Sequence, residues 1–306
     1  MKKKSKLWNE IKRNRQLYIL FLPILIYFLV FHYGSMYGSV IAFMDYKPAK
    51  GFLNSEWVGV KHFIRFFQDP YFGRLMKNTI AISLGSLLVC MPVTIIFALL
   101  LNEVRNSKFK RIVQTVSYLP HFVSLVVICG MIKVFVSSDG IITTMLSALG
   151  IVEKQNLLMV AEYYQPIHII SRVWQVMGWD SIIYLSALAS IDQEQYEAAD
   201  LDGAGRFAKM RYITLPSIVP TISVMLIMKI GHVMSVGYEK VILLYNTTTY
   251  ETADVFSSYI YRMGLASSYP QFSYTTAVGL VQSVINIALV TISNYISKKL
   301  KGSSLW

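Results

Sequence analysis

Apolar positions along this chain fall in long blocks. They show neither the alternation of a half-buried strand nor the narrow stripe of a surface helix. A membrane-crossing helix needs about 20 mostly apolar residues. Six stretches reach that length, at 17–44, 79–101, 112–136, 166–191, 217–244 and 274–296. The pattern predicts an all-α membrane protein with six transmembrane helices. Pro23, Gly34 and Gly38 in the first stretch predict a kink or break near its outer end. The stretch 141–149 is apolar but too short to span. Between 245 and 273, apolar residues at 256, 259, 260 and 263 have the spacing of a short amphipathic helix lying against the outer mouth.

Composition agrees. The chain is 54% hydrophobic and only 15% charged, too little charge to cover a soluble domain of 306 residues. A net charge of +12 would suggest a nucleic-acid partner in a soluble protein. Here the bases sit beside the apolar blocks, so they report topology and no nucleic acid is implied. Seven lie before or at the start of the first block, four in 102–111, three in 197–216, and three at Lys298, Lys299 and Lys301. With six spans, these four groups share one side and hold 17 of the 29 bases. Both termini are therefore expected in the cytoplasm. The basic start followed by an apolar run resembles a secretory signal. The run continues and no small-residue cleavage site follows it, which predicts an uncleaved first span. Cys90 and Cys129 lie within apolar blocks and are expected to be inert small packing residues.

The segment EAADLDGAGRFAKMRYITLP (197–216) interrupts this pattern with three acids and three bases. Around Ala198 and Ala199 it favours helix, Gly203 and Gly205 loosen or end that helix, and 206–212 can be helical again. Leu215-Pro216 then opens the next span, where a proline is tolerated in the first turn. The expected structure is a short cytoplasmic helix, a bend and a re-entry into the bilayer.

At these residues the chain resembles the permease subunits of bacterial binding-protein-dependent ABC importers. Glu197-Ala198-Ala199, then Gly203, Ile213, Leu215 and Pro216 fill every position of their EAA loop. The likeness runs over nearly the whole chain. WVGVKHF (57–63) and FSYTTAVGLVQSVIN (272–286) resemble the polysaccharide/uronate-type oligosaccharide permeases. The run YGSMYG (33–38) departs from that pattern, which has a proline before the methionine.

The resemblance implies the type I ABC importer permease fold, in which the EAA loop, here 192–216, is the coupling helix that docks on a cytoplasmic ATPase. It implies a basic N-terminal segment at 1–16, a permease domain at 17–297 and a tail at 298–306. The implied partners are a second homologous permease, two ATPase subunits, an extracellular solute-binding protein, membrane lipid and an oligosaccharide cargo, uronate-containing in one reading. The chain would sit in the bacterial cell membrane.

No G-x-x-x-x-G-K-[ST] motif occurs, so ATP and Mg are expected on the partner ATPase and no cofactor on this chain. The five histidines, at 32, 62, 121, 168 and 232, do not fall at metal-ligand spacing, and no catalytic triad can be assembled. A membrane enzyme or a stand-alone channel are the competing classes. The first lacks an acid/base set, and the second has no use for an EAA loop.

Charged residues within spans usually face a cavity or a partner, because hydrocarbon disfavours them by at least ~2.5 kcal/mol each. Lys133 and Glu239 sit near span ends and are expected to snorkel. Arg172, Asp180, Lys229 and His232 lie deeper, in the two spans flanking the EAA loop. The resemblance implies that these two spans line the translocation path. Arg172, Gln175, Trp179, Asp180, Lys229 and His232 are the candidate path residues. An internal Arg172–Asp180 or Lys229–Asp180 ion pair that only locks helices is the competing reading. Gln282 and Asn286 share one helix face, and helix packing is their expected role.

Overall fold

The computed structural model describes residues 13–299. These divide into two compact units. Most of the expected basic N-terminal segment and of the C-terminal tail, at 1–12 and 300–306, lies outside the described residues.

The first unit comprises the chain up to Phe67 together with 271–280. Helix α1, Arg15–Tyr27, passes into a π-helical stretch at Phe28–Tyr33, the single turn α2 at Gly34–Tyr37 and a 3-10 stretch at Gly38–Phe43. The irregularity expected around Pro23, Gly34 and Gly38 thus takes the form of altered hydrogen-bond spacing over 28–43. Strands β1 (Met44–Asp45) and β2 (Glu56–Trp57) then pair antiparallel, with Met44 opposite Trp57. Helix α3, Lys61–Phe67, follows. It is tied back to β1 by His62, whose Nε2 lies 3.1 Å from the Met44 carbonyl. Buried Phe66 meets Tyr274 edge-on, and the Arg65 guanidinium lies 4.3 Å over the same ring.

The second unit is helical and built on α4, Phe72–Glu103, a helix of 32 residues. Helices α5 (Ser107–Phe122) and α6 (Leu125–Phe135) follow, bent by 100° at their junction. The stretch 112–136 is therefore not one straight span. Pro120 sits in the last turn of α5, and Ser124 caps α6 by accepting from the Val127 N–H, so the chain ends one helix and starts another within two residues. Short α7 (Ile141–Ala148) precedes α8, Ala161–Ala189. Helix α9 is Gln193–Leu201. The turn α10 (Arg206–Lys209) and a π-helical stretch at Met210–Thr214 lead straight into α11, Leu215–Ile230. The re-entry thus begins at Arg206, about two and a half turns before the predicted Leu215-Pro216. Helices α12 (Tyr238–Leu244), α13 (Tyr250–Ala253) and α14 (Phe256–Gly264) come next. The last helix, α15 (Phe272–Lys299), starts in the first unit and continues in the second.

The expected span 217–244 ends early, at Ile230. Residues 231–237 are non-helical, punctuated by Gly231 and Gly237. An unwound backbone in apolar surroundings must find partners for its freed groups. Asn286 and Gln282 of α15 supply them. Asn286 Oδ1 accepts from the Met234 N–H at 3.0 Å, and Gln282 Nε2 donates to the Met234 carbonyl at 2.6 Å. This is the helix-packing role read for the two amides, with its cause in the break itself.

Among the described residues, four helical runs are long and apolar enough to cross a membrane: Arg15–Phe43, Phe72–Glu103, Arg206–Ile230 and Phe272–Lys299. The bent pair α5–α6 makes a fifth if it is one span. Helix α8, at 29 residues, has the length, but Arg172 and Asp180 dilute its hydropathy. Helix association in lipid relies on close packing and small residues rather than on the hydrophobic effect. Gly178 of α8 shows this: a Cβ there would lie 2.2 Å from the Ser117 carbonyl of α5.

Candidate functional site

Two places concentrate polar chemistry in the second unit. The first is a cavity of about 260 Å³ between α4, α8, α11 and the unwound 231–237 segment. Its polar lining is Ser83, Ser86 and Cys90 from α4, His168 and Arg172 from α8, Lys229 from α11, and His232 and Ser235 from the break. Three of the six candidate path residues, Arg172, Lys229 and His232, line this cavity.

The remaining three stand apart. Asp180 lies 2.7 Å from the Lys229 ammonium through Oδ2, which selects the Lys229–Asp180 pair over the Arg172–Asp180 alternative. Gln175 does not line the cavity. Trp179 stacks parallel on His121 of α5, with ring centroids 4.5 Å apart, and meets Phe122 edge-on at 5.3 Å. Once Lys229 is neutralised by Asp180, Arg172 is the exposed cation with no ion-pair partner among the described residues.

Among the polar lining residues that sequence reading missed, two are orphaned. His168 is 2% exposed and neither ring nitrogen has a hydrogen-bond partner; the Ser86 hydroxyl is likewise buried and unpartnered. Buried polar atoms are nearly always satisfied. Their orphaning beside a cavity marks a place for a hydroxyl or a water. In the sequence His168 was one scattered histidine. Its helical offset of four from Arg172 was the available signal, since that spacing puts both on one face. Buried Lys240 also escaped notice; its ammonium donates to the His168 carbonyl at 3.2 Å.

The second place is the acidic and basic segment 192–216. Asp192 caps α9 by accepting from the Glu194 N–H at 3.0 Å. At its other end the Gly203 N–H donates to the Asp200 carbonyl and the Ala204 N–H to the Ala199 carbonyl, with Gly203 at φ 74°. This is the paired closure of a Schellman motif, whose left-handed position glycine suits best. Two bonds brace the arms: Lys209 Nζ to Asp200 Oδ1 at 2.6 Å, and the Tyr196 hydroxyl to Thr214 Oγ1 at 2.9 Å. Tyr196 and Ile213 pack on a core of Ala98, Leu99, Tyr184, Leu188, Ile191 and Ile218. Glu197 and Ala198 face outward, and near them Leu201 is 91% and Phe207 76% exposed. The hairpin of helices is thus charged, braced and tipped with an exposed apolar pair.

The second unit thus combines long apolar helices, a polar cavity and a braced hairpin of helices. Residues 90–302 match the family of binding-protein-dependent transport system inner membrane components. The chain belongs to that family and is a permease subunit of an ABC importer with the type I fold. It is 44% identical over 297 residues to the polygalacturonan/rhamnogalacturonan transport system permease protein YteP of Bacillus subtilis, covering 97% of this chain and 92% of that one. It is also similar to a chain in the crystal structure of a bacterial ABC transporter involved in import of the acidic polysaccharide alginate, with a TM-score of 0.86, 42% identity, and coverage of 96% here and 99% there. A second crystal structure shows the bacterial alginate transporter in complex with an alginate pentasaccharide-bound periplasmic protein. A chain of it matches at TM-score 0.88 and 41% identity, covering 98% and 100%.

Proposed function

We propose that this subunit pairs with a second, homologous permease to carry an acidic oligosaccharide inward. Six spans place both termini and the 192–216 segment in the cytoplasm. Glu197, Ala198, Ala199, Gly203, Ile213, Leu215 and Pro216 form the element that docks on one of two ATPase subunits, where ATP and Mg are bound. A solute-binding protein delivers the sugar to the opposite face. The names of the related proteins, polygalacturonan and alginate transporters, support an acidic cargo.

The observation that carries the substrate reading is Arg172. It lines the cavity as a cation left over after Lys229 and Asp180 neutralise each other. In a cavity of low dielectric one uncompensated charge is felt strongly, and a guanidinium is suited to a carboxylate. His168, Ser83 and Ser86 offer polar atoms to sugar hydroxyls. Lys229, Asp180 and His232 hold the wall. Trp179 stacks on His121 and lies outside the cavity lining. Uptake of matched neutral and uronate-containing oligosaccharides tests this. Arg172→Gln should lose the acidic cargo selectively, by one to two orders of magnitude for about 1.5–3 kcal/mol of charge-assisted hydrogen bonding. Lys229→Gln should depress both cargoes and protein level, because it strands Asp180. Equal loss of both cargoes in Arg172→Gln, or no loss, overturns the assignment.

A further inference from the structure

Asp254 is fully buried, outside the long apolar helices, and is the centre of a charged cluster. Arg262 grips it with both arms, Nη1 donating to Oδ1 at 3.1 Å and Nη2 to Oδ2 at 2.6 Å. The Ser258 hydroxyl donates to Oδ1 at 2.7 Å, and Arg74 Nη2 lies 3.8 Å from Oδ2. Neighbouring bonds tighten the same junction. Asn78 Nδ2 donates to the Glu251 and Asp254 carbonyls at 2.9 and 3.1 Å, and the Phe256 N–H donates to Thr79 Oγ1 at 3.2 Å. Arg74, Asn78 and Thr79 belong to the first two turns of α4. Asp254, Ser258 and Arg262 belong to the loop and helix around α14. The cluster therefore fastens α14 to one end of α4 by charge.

The other end of α4 is about 37 Å away at a rise of ~1.5 Å per residue. There Ala98 and Leu99 share a core with Leu188, Ile191 and Ile218, on which Tyr196 and Ile213 of the EAA segment pack. Between the two ends, α4 contributes Ser83, Ser86 and Cys90 to the cavity wall. One helix thus touches all three working parts. A buried ion cluster is an inefficient stabiliser, often matched by apolar residues of the same volume. Its advantage is a fixed register between two elements. Beside it, Leu265 and Tyr269 are 71% and 87% exposed, an apolar surface on the same loop.

We propose that the Asp254–Arg262–Arg74 cluster is a clamp that passes docking of the solute-binding protein on the 245–270 loop, through α4, to the EAA segment and the ATPases. This rests on the orientation and partners given under Proposed function. Asp254, Arg262 and Arg74 are positioning residues and touch no cargo.

The test is ATP hydrolysis by the purified, lipid-reconstituted importer. It is measured alone and with its solute-binding protein, empty and then charged with each member of a panel of neutral and uronate oligosaccharides. Asp254→Asn and Arg262→Met should keep the hydrolysis rate of the importer alone and lose most of the stimulation by charged binding protein. Arg262→Lys should recover part of it. Unchanged stimulation in Asp254→Asn overturns the clamp. So does a fall of both rates in proportion in the assembled complex, which marks a structural role only. If either variant fails to assemble, Arg74→Gln and Ser258→Ala remove a single outer contact each, and the same two readings decide. A wild-type importer that binds no ATPase counts against the permease partners, and stimulation by neutral sugars alone counts against the acidic cargo. The first result removes the clamp's endpoint and overturns it as well, whereas the second leaves the clamp standing.

Discussion

At Gly203 the backbone takes φ 74°, and the two hydrogen bonds that close α9 depend on it. A side chain there meets open space, because an added Cβ has nothing within 4 Å. The penalty for substitution is therefore conformational, about 1–2 kcal/mol for an L-residue in the left-handed region, and local to the hairpin. Glu197 is equally peripheral, being exposed on the same helix. Both positions can be changed without touching the buried bundle. Gly203→Asp and Glu197→Lys are expected to insert at near wild-type levels but to abolish uptake, with weaker recovery of the ATPase in a pull-down. Normal uptake together with normal ATPase recovery in both variants would remove the docking role from this segment. The sequence marked these residues through their resemblance to the EAA loop, and of the two only the glycine that ends a small helix was legible from backbone chemistry. The partner of Lys229 was less legible. The choice between Arg172–Asp180 and Lys229–Asp180 depends on helix rotation, which a nearly uniform apolar sequence leaves open.

Helices in this chain are held by close approach as much as by apolar area. Gly178 sets how near α8 can come to α5, since a Cβ would fall 2.2 Å from backbone at Ser117 and backbone cannot swing aside. Gly178→Val is expected to separate the two helices and lower the folded yield severalfold, as read by detergent size-exclusion profiles. Gly130→Ala on α6, where an added Cβ meets nothing within 4 Å, should leave the profile unchanged. Identical profiles for Gly178→Val and wild type would show that the packing is looser than these distances require. The same scale explains where sequence reading failed. Hydropathy sees apolar content over a window, so 112–136 reads as one span although Pro120 and Ser124 bend it by 100°. It also reads 217–244 as one span although the helix stops at Ile230. The break was marked by Gly231 and Gly237, and its satisfaction by Gln282 and Asn286. The glycine pair is far from the amide pair in sequence, and only the fold brings the amides onto Met234.

For the molecule as a whole, the class was legible because a membrane protein writes its class in composition: long apolar blocks, little charge, and bases beside the blocks. The cavity and the Asp254 cluster were not, because each is assembled from elements far apart in sequence that contribute one to three polar residues apiece. Topology lies between these cases. It was read from the bases alone, and it fixes which face meets the ATPase and which the binding protein. If 17 of 29 bases mark the cytoplasmic side, single cysteines at Ser5 and Ser303 should both be shielded in intact cells. Both positions lie outside the described residues. The native thiols do not interfere, since Cys90 and Cys129 are 5% and 1% exposed. A membrane-impermeant maleimide should therefore label each variant only after the membrane is opened or in inverted vesicles. Reaction at either position in intact cells would put that terminus outside. An odd number of crossings would follow if one terminus reacts, and a reversed even arrangement if both do. In either case the 192–216 segment would have to be reassigned with them.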